Sequence, residues 1–157
     1  MKHWKHYIPE GAFTLLSLFI GAIGSLLTRM GMPAYDLAQK PWFTPPSWVF
    51  PVVWTVLYIL MGIGMGRVWK RGGPRLQGSL WLFGVQLMLN LFWTVWFFPL
   101  QLYGIAFGWL LLLLGTVAAM TRSFHAADET AAALQYPYLL WLLLAAVLNY
   151  SVWIMNK

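Results

Sequence analysis

An all-α integral membrane protein, a bundle of five transmembrane helices, is what this sequence predicts. Three observations carry that expectation. The chain is 61% hydrophobic with only 9% charged side chains, against roughly half and a quarter in a soluble domain. Its mean hydropathy is +0.67. Its few charges are clustered, so that they leave long uncharged runs of membrane-crossing length. One soluble core in 157 residues cannot hide this much apolar surface, which excludes a soluble enzyme, a disordered tail and a nucleic-acid-binding domain despite the net charge of +6. The chain has no Cys, so thiolate metal sites, disulfides and Cys nucleophiles are excluded as well.

The helices are placed by the charges that bound them. Gly11 to Thr28 is an uncharged run of 18 residues between Glu10 and Arg29, enough for one crossing, and predicts a helix over about 10–29. A signal peptide is the competing reading of this segment, and a membrane crossing is the favoured one. A proline-bearing stretch at 30–46 then precedes a second run ending at Gly66, read as a helix over 47–69 with Ser47 as its cap. After the cluster Arg67, Lys70, Arg71 and Arg75, the 46 residues from Leu76 to Thr121 carry no formal charge. That length suits two helices, 76–97 and 102–123, broken at Pro99. The last uncharged run predicts a fifth helix over 130–155, and residues 1–157 form a single domain.

Five crossings put the termini on opposite sides. Lys2, Lys5, Arg67, Lys70, Arg71, Arg75 and Arg122 share one side, against Arg29, Lys40 and Lys157 on the other, so the N-terminus is expected in the cytoplasm. The loop 30–46 and the C-terminus then lie on the opposite side. No carboxylate occurs between Glu10 and Asp128 except Asp36, and no His between His6 and His125. Proton-coupled transport and a bis-His haem therefore lack their residues. His3 and His6, one turn apart, read as a solvated pair, and no metal site is expected.

What the interior does contain is aromatic rings and amides: 11 Trp, 10 Phe and 7 Tyr. Trp4, Tyr7, Trp48, Trp69, Tyr103, Tyr136 and Trp153 fall near helix ends, where interfacial rings concentrate. Deeper ones follow helical periods. Gln86, Asn90, Trp93 and Phe97 form one stripe, Tyr138, Trp141, Ala145 and Asn149 another, and Trp54 and Tyr58 are one turn apart. Amides in hydrocarbon need partners, so these stripes face the bundle interior, either as interhelical glue or as the lining of a cavity for a flat apolar ligand. Lys40, Pro41, Trp42, Pro45 and Pro46 make the 30–46 loop stiff enough to act as a lid.

The segment Lys40-Pro41-Trp42-Phe43-Thr44-Pro45-Pro46 resembles the KPxWxPP loop signature of the translocator protein family, also called tryptophan-rich sensory proteins or peripheral benzodiazepine receptors, with Phe43 in place of the usual Trp. Trp54-Thr55-Val56-Leu57-Tyr58, Gln86 through Trp93, Tyr136 through Trp141 and Leu148 through Trp153 match in turn, so the resemblance, to a bacterial member, covers nearly the whole chain. It implies a homodimer of five-helix protomers, each with a cavity under the first long loop. It implies binding of porphyrins such as protoporphyrin IX, sterols and benzodiazepine-type ligands, with no resident cofactor. Carried onto this sequence, the ligand-binding positions are Tyr35, Trp54, Tyr58, Gln86, Asn90, Trp93, Tyr138, Trp141 and Ala145; the loop position of Lys40, separately, suggests it as a cation for a propionate. The family's sterol pattern is broken here, Ile154 standing where a basic residue is expected. A membrane receptor or carrier for tetrapyrroles is the leading expectation. The alternatives are light- and oxygen-dependent porphyrin degradation through Trp54 and Trp141, and a regulatory membrane subunit. For assembly, Gly62-x-x-x-Gly66 and Gly104-x-x-x-Gly108 are small-xxx-small faces that suit helix contact within or between chains.

Overall fold

The computed structural model describes residues 7–157, so Lys2, His3, Trp4, Lys5 and His6 lie outside the described residues. Its helices are α1 (Ile8–Leu37), α2 (Val49–Arg71), α3 (Leu76–Phe97), α4 (Tyr103–His125), α5 (Glu129–Ala133) and α6 (Tyr136–Met155). With α5 and α6 taken together, five segments among the described residues are long and apolar enough to span a membrane. Side chains such as Leu15, Phe19, Leu26, Trp81, Leu112, Leu140 and Val147 are turned outward on the bundle surface. Apolar residues on both the inner and outer faces of a helix are what a lipid solvent demands. The chain is an integral, multi-pass membrane protein.

α4 organises the interior. Ala106, Leu110, Leu113, Val117, Met120 and Phe124 alternate at spacings of four and three and are all fully buried. That is the seam along which a helix packs at a shallow angle against its neighbours, here α3 on one side and α6 on the other. α1 packs on α2 through glycine notches. A Cβ at Gly62 would overlap the backbone of Thr14, and one at Gly66 the backbone of Glu10. The α2 small-residue face is therefore used inside the chain. Gly104 likewise receives the Trp153 ring of α6, while Gly108 faces open space.

Three expected boundaries are corrected. α1 does not stop at Arg29 but continues to Leu37, with Pro33 inside it. A charge marks where the hydrocarbon ends, whereas a helix ends where its carbonyls find other donors. At 1.5 Å per residue α1 is about 45 Å long, so it overshoots a hydrocarbon core of about 30 Å. The loop accordingly spans 38–48 instead of 30–46, and residues 30–37 belong to α1. α2 begins at Val49 without a side-chain cap, so Ser47 does not cap it, and the Val49 N–H is taken by the Pro46 carbonyl at 2.9 Å. The fifth crossing is broken at Leu134 and Gln135. Pro137 lacks an N–H, so the Ala133 carbonyl finds no donor four residues on, and Gln135, fully buried, donates from Nε2 to the carbonyls of Leu60 (3.3 Å) and Ala131 (3.2 Å).

The end of the bundle bearing the α2–α3 turn is tied by charge. Asp128 accepts from Arg67 Nε and Nη2 and from Arg71 Nε, each at 3.0 Å, and from the Ala131 N–H at 2.8 Å as the N-cap of α5. Burial alone would push this carboxyl up. The two guanidiniums and the amide outweigh it and pull the carboxyl down to about 2. Lys70 pairs with Glu10 beside this cluster.

Candidate functional site

At the opposite end α1 and α2 are no longer held by the Gly62 and Gly66 notches, and a cavity of about 520 Å³ opens between α1, α2, α3 and the 38–48 loop. This is within the usual range of small-molecule sites, about 300–1,000 Å³. α1 contributes Gly21, Gly24, Ser25, Thr28, Arg29, Met32, Tyr35 and Asp36. These recur at three- and four-residue spacings, so one face of α1 forms a wall. α2 supplies Phe50, Pro51, Trp54 and Tyr58, α3 supplies Asn90, Trp93 and Thr94, and Phe98 follows it. Lys40, Pro41, Thr44, Pro45, Pro46 and Ser47 come from the loop.

Of the residues expected from sequence, Tyr35, Trp54, Tyr58, Asn90 and Trp93 are on this lining, together with Lys40, Pro41, Pro45 and Pro46. Gln86, Tyr138, Trp141 and Ala145 are not; they stand in a layer behind it. The reason is the amides. The Tyr138 hydroxyl donates to Gln86 Oε1 at 2.9 Å and accepts from Asn90 Nδ2 at 3.0 Å, which turns the Tyr138 ring inward between α3 and α6. Gln86 also donates to Met61 Sδ at 3.6 Å. Trp141 packs edge-on against Phe50 and Trp54, with ring centroids 5.8 and 6.5 Å away, so those two α2 rings screen it from the cavity. Trp42 points out of the loop and is 94% exposed, edge-on to Phe43.

The aromatic wall is continuous. Trp54 lies 5.7 Å from Tyr58 and 6.3 Å from Trp93, both at shallow interplanar angles, and Trp93 stacks on Phe97 at 5.3 Å. Such faces suit a flat ring system. Behind them the Trp93 indole donates to Asn149 Oδ1 at 3.1 Å, and Asn149 Nδ2 donates to the Tyr103 carbonyl at 2.8 Å, fixing the orientation of the Trp93 ring.

The loop is held in three ways. Lys40 Nζ donates to the carbonyls of Tyr35 (2.8 Å) and Asp36 (3.0 Å) and lies over the Tyr35 ring, capping the last turn of α1. The Thr44 hydroxyl and N–H both donate to the Pro41 carbonyl. Asn156, at the end of α6, accepts from the Gln39 N–H at 2.9 Å and donates to the Gln39 carbonyl at 2.8 Å. Sequence reasoning missed Asn156, since its partner is 117 residues away. It also missed the α1 wall below Tyr35. Gly, Ser, Thr and Met advertise no chemistry, and only their helical spacing in the first crossing carried a signal.

The TspO/MBR family model matches residues 13–154. The chain is 38% identical to the translocator protein of Bos taurus over 96% of this chain and 92% of that protein. It is 37% identical to the tryptophan-rich sensory protein of Cereibacter sphaeroides, over 92% of each. It is also 37% identical to protein CrtK of Rhodobacter capsulatus, over 87% of this chain and 85% of that one. With its membrane-spanning helices and these matches over nearly its whole length, the chain belongs to the TspO/MBR family.

Proposed function

We propose that this protein is a membrane receptor or carrier for flat, largely apolar molecules of the tetrapyrrole kind, held in the cavity between α1, α2 and α3 beneath the 38–48 loop. The observation that carries this reading is the cavity wall itself. Trp54, Tyr58 and Trp93 present contiguous aromatic faces, and the charged groups of the lining, Arg29, Asp36 and Lys40, come from the C-terminal half of α1 and the loop. Ring stacking and burial supply affinity, and the loop, stiffened by Pro41, Pro45 and Pro46 and tied to Asn156, sets how fast the ligand leaves. No acid–base pair or nucleophile is needed for this role. Benzodiazepine-type ligands fit the same chemistry. The homodimer implied by the family resemblance belongs to this reading too.

The test is titration of the purified protein with protoporphyrin IX in the dark, read by absorbance and by quenching of Trp fluorescence. Saturable binding that falls severalfold or more in Trp54→Ala supports the reading. Absence of saturable binding, or binding unchanged by Trp54→Ala, overturns it. The cytoplasmic placement of the Arg67–Arg75 end is tested by cysteine accessibility in this Cys-free chain. Trp42→Cys is expected to react with an impermeant reagent added outside intact cells, and Pro74→Cys is not; the reverse pattern overturns the orientation.

A further inference from the structure

Several polar groups on the cavity wall are already engaged. The Thr28 hydroxyl donates to the Gly24 carbonyl, Thr44 to Pro41 and Thr94 to Asn90. Asn90 and Trp93 donate to Tyr138 and Asn149 in the layer behind, and Lys40 caps α1. Arg29 is different. It is on the cavity-facing stripe of α1, between Thr28 and Met32, yet among the described residues it has neither a hydrogen bond nor an ion pair. Asp36, the carboxylate at the same mouth, is seven residues further along, about 10.5 Å up the helix axis, and forms no ion pair with it.

We propose that Arg29 anchors a carboxylate of the ligand, so that the cavity selects flat apolar acids over their neutral esters. This rests on the reading of the cavity as a ligand site. A guanidinium offers a planar fork that matches a carboxylate in two parallel hydrogen bonds, and it keeps its charge at any working pH. The apolar wall below and Arg29 at the mouth give the ligand one orientation, ring inward and acid outward. Asp36 opposes a second carboxylate on its side of the mouth. Lys40, the cation the loop sequence suggested for this task, is committed to the helix end instead. A lipid phosphate has the same chemistry as a ligand carboxylate, so the experiment separates the two.

Protoporphyrin IX and its dimethyl ester are titrated into wild type, Arg29→Gln, Arg29→Lys and Asp36→Asn, in a maltoside detergent and in phosphatidylcholine nanodiscs. Wild type is expected to prefer the diacid by about fivefold, near the upper end for a partly exposed charge pair. Arg29→Gln loses that preference with ester affinity unchanged within about twofold, which also shows that the variant is folded. Arg29→Lys retains part of it, and Asp36→Asn enlarges it. Equal binding of acid and ester by wild type, or an undiminished preference in Arg29→Gln, overturns the role of Arg29 and leaves the cavity reading standing. A preference present in detergent but absent in nanodiscs assigns Arg29 to lipid phosphate and overturns it too. Binding of neither compound by wild type removes both this inference and the reading beneath it.

Discussion

Trp93 on α3 donates its indole N–H to Asn149 on α6 across the interior, at 3.1 Å, and Asn149 passes the connection on to the carbonyl of Tyr103 at the start of α4. One amide thereby joins three helices and fixes the plane of a cavity-wall ring. Interhelical hydrogen bonds in membranes average about 0.6 kcal/mol each, and a buried donor left without a partner costs about 1–3 kcal/mol. Asn149→Leu fills the same space and removes both bonds. We expect a loss of about 1–2 kcal/mol, a drop of about 2–8 °C in Tm in detergent, and weaker porphyrin binding from a loosened Trp93. An unchanged Tm removes the structural weight placed on this amide.

How much of this was legible in the sequence depends on what kind of residue carries it. Gln86, Asn90 and Asn149 are conspicuous in a hydrocarbon setting and recur with aromatic rings at helical spacing, so their inward orientation follows from the need for partners. What spacing does not reveal is which of two inward directions a ring takes. Tyr138 turns to the amides of α3 and Trp141 packs behind Trp54, because α2 lies between them and the cavity. The end of α1 was hidden for a different reason. Arg29 signals the membrane boundary, but nothing between Met30 and Leu37 breaks a helix strongly enough to stop it there, and Pro33 is accommodated within it.

The α1–α2 contact gives a second prediction. Gly62 admits the Thr14 backbone, so Gly62→Ala forces the two helices apart, whereas Gly115 on α4 has open space where a Cβ would go. Overpacking of this kind costs about 1–3 kcal/mol. Gly115→Ala instead gains helix propensity, up to about 1 kcal/mol. Opposite shifts in Tm are expected from the same chemical change, and Gly62→Ala is also expected to weaken ligand binding, since Tyr58 one turn earlier both fills the notch at Gly21 and lines the cavity. Equal shifts in the two variants count against the notch.

Acid should weaken the opposite end of the bundle. Folding lowers the Asp128 carboxyl from 3.8 to about 2, so the folded state takes up its proton less readily than the unfolded chain. The contribution is full above about pH 4 and is lost as the pH falls toward 2, and it amounts to about 2 kcal/mol. Asp128→Asn is expected to lower Tm at pH 7, leaving Arg67 and Arg71 without their carboxylate, and to flatten the decline of Tm between pH 4 and 2. A variant with the wild-type acid profile places the transition on other carboxylates.

The indole pair Trp54 and Trp141 separates a binding protein from one that acts on its ligand. Trp54 lines the cavity; Trp141 lies 6.5 Å behind it, and its buried Nε1 has no partner among the described residues. Trp141→Phe therefore removes an unsatisfied donor while giving up some ring volume. These effects oppose each other, and we expect stability within about 1 kcal/mol of wild type and dark affinity unchanged. Trp54→Phe keeps an aromatic face but a smaller one, and affinity should fall by up to about tenfold, or 1.4 kcal/mol. Light-driven chemistry running through these rings makes a different demand, because Phe is far harder to oxidise than indole. Protoporphyrin IX is followed in each variant under illumination in air, with dark samples alongside. A binding protein gives the same slow loss of porphyrin in wild type and in both variants once the bound fraction is matched. Loss that is fast in wild type and stops in Trp141→Phe, where dark binding persists, overturns that expectation and assigns the indoles a part in porphyrin degradation.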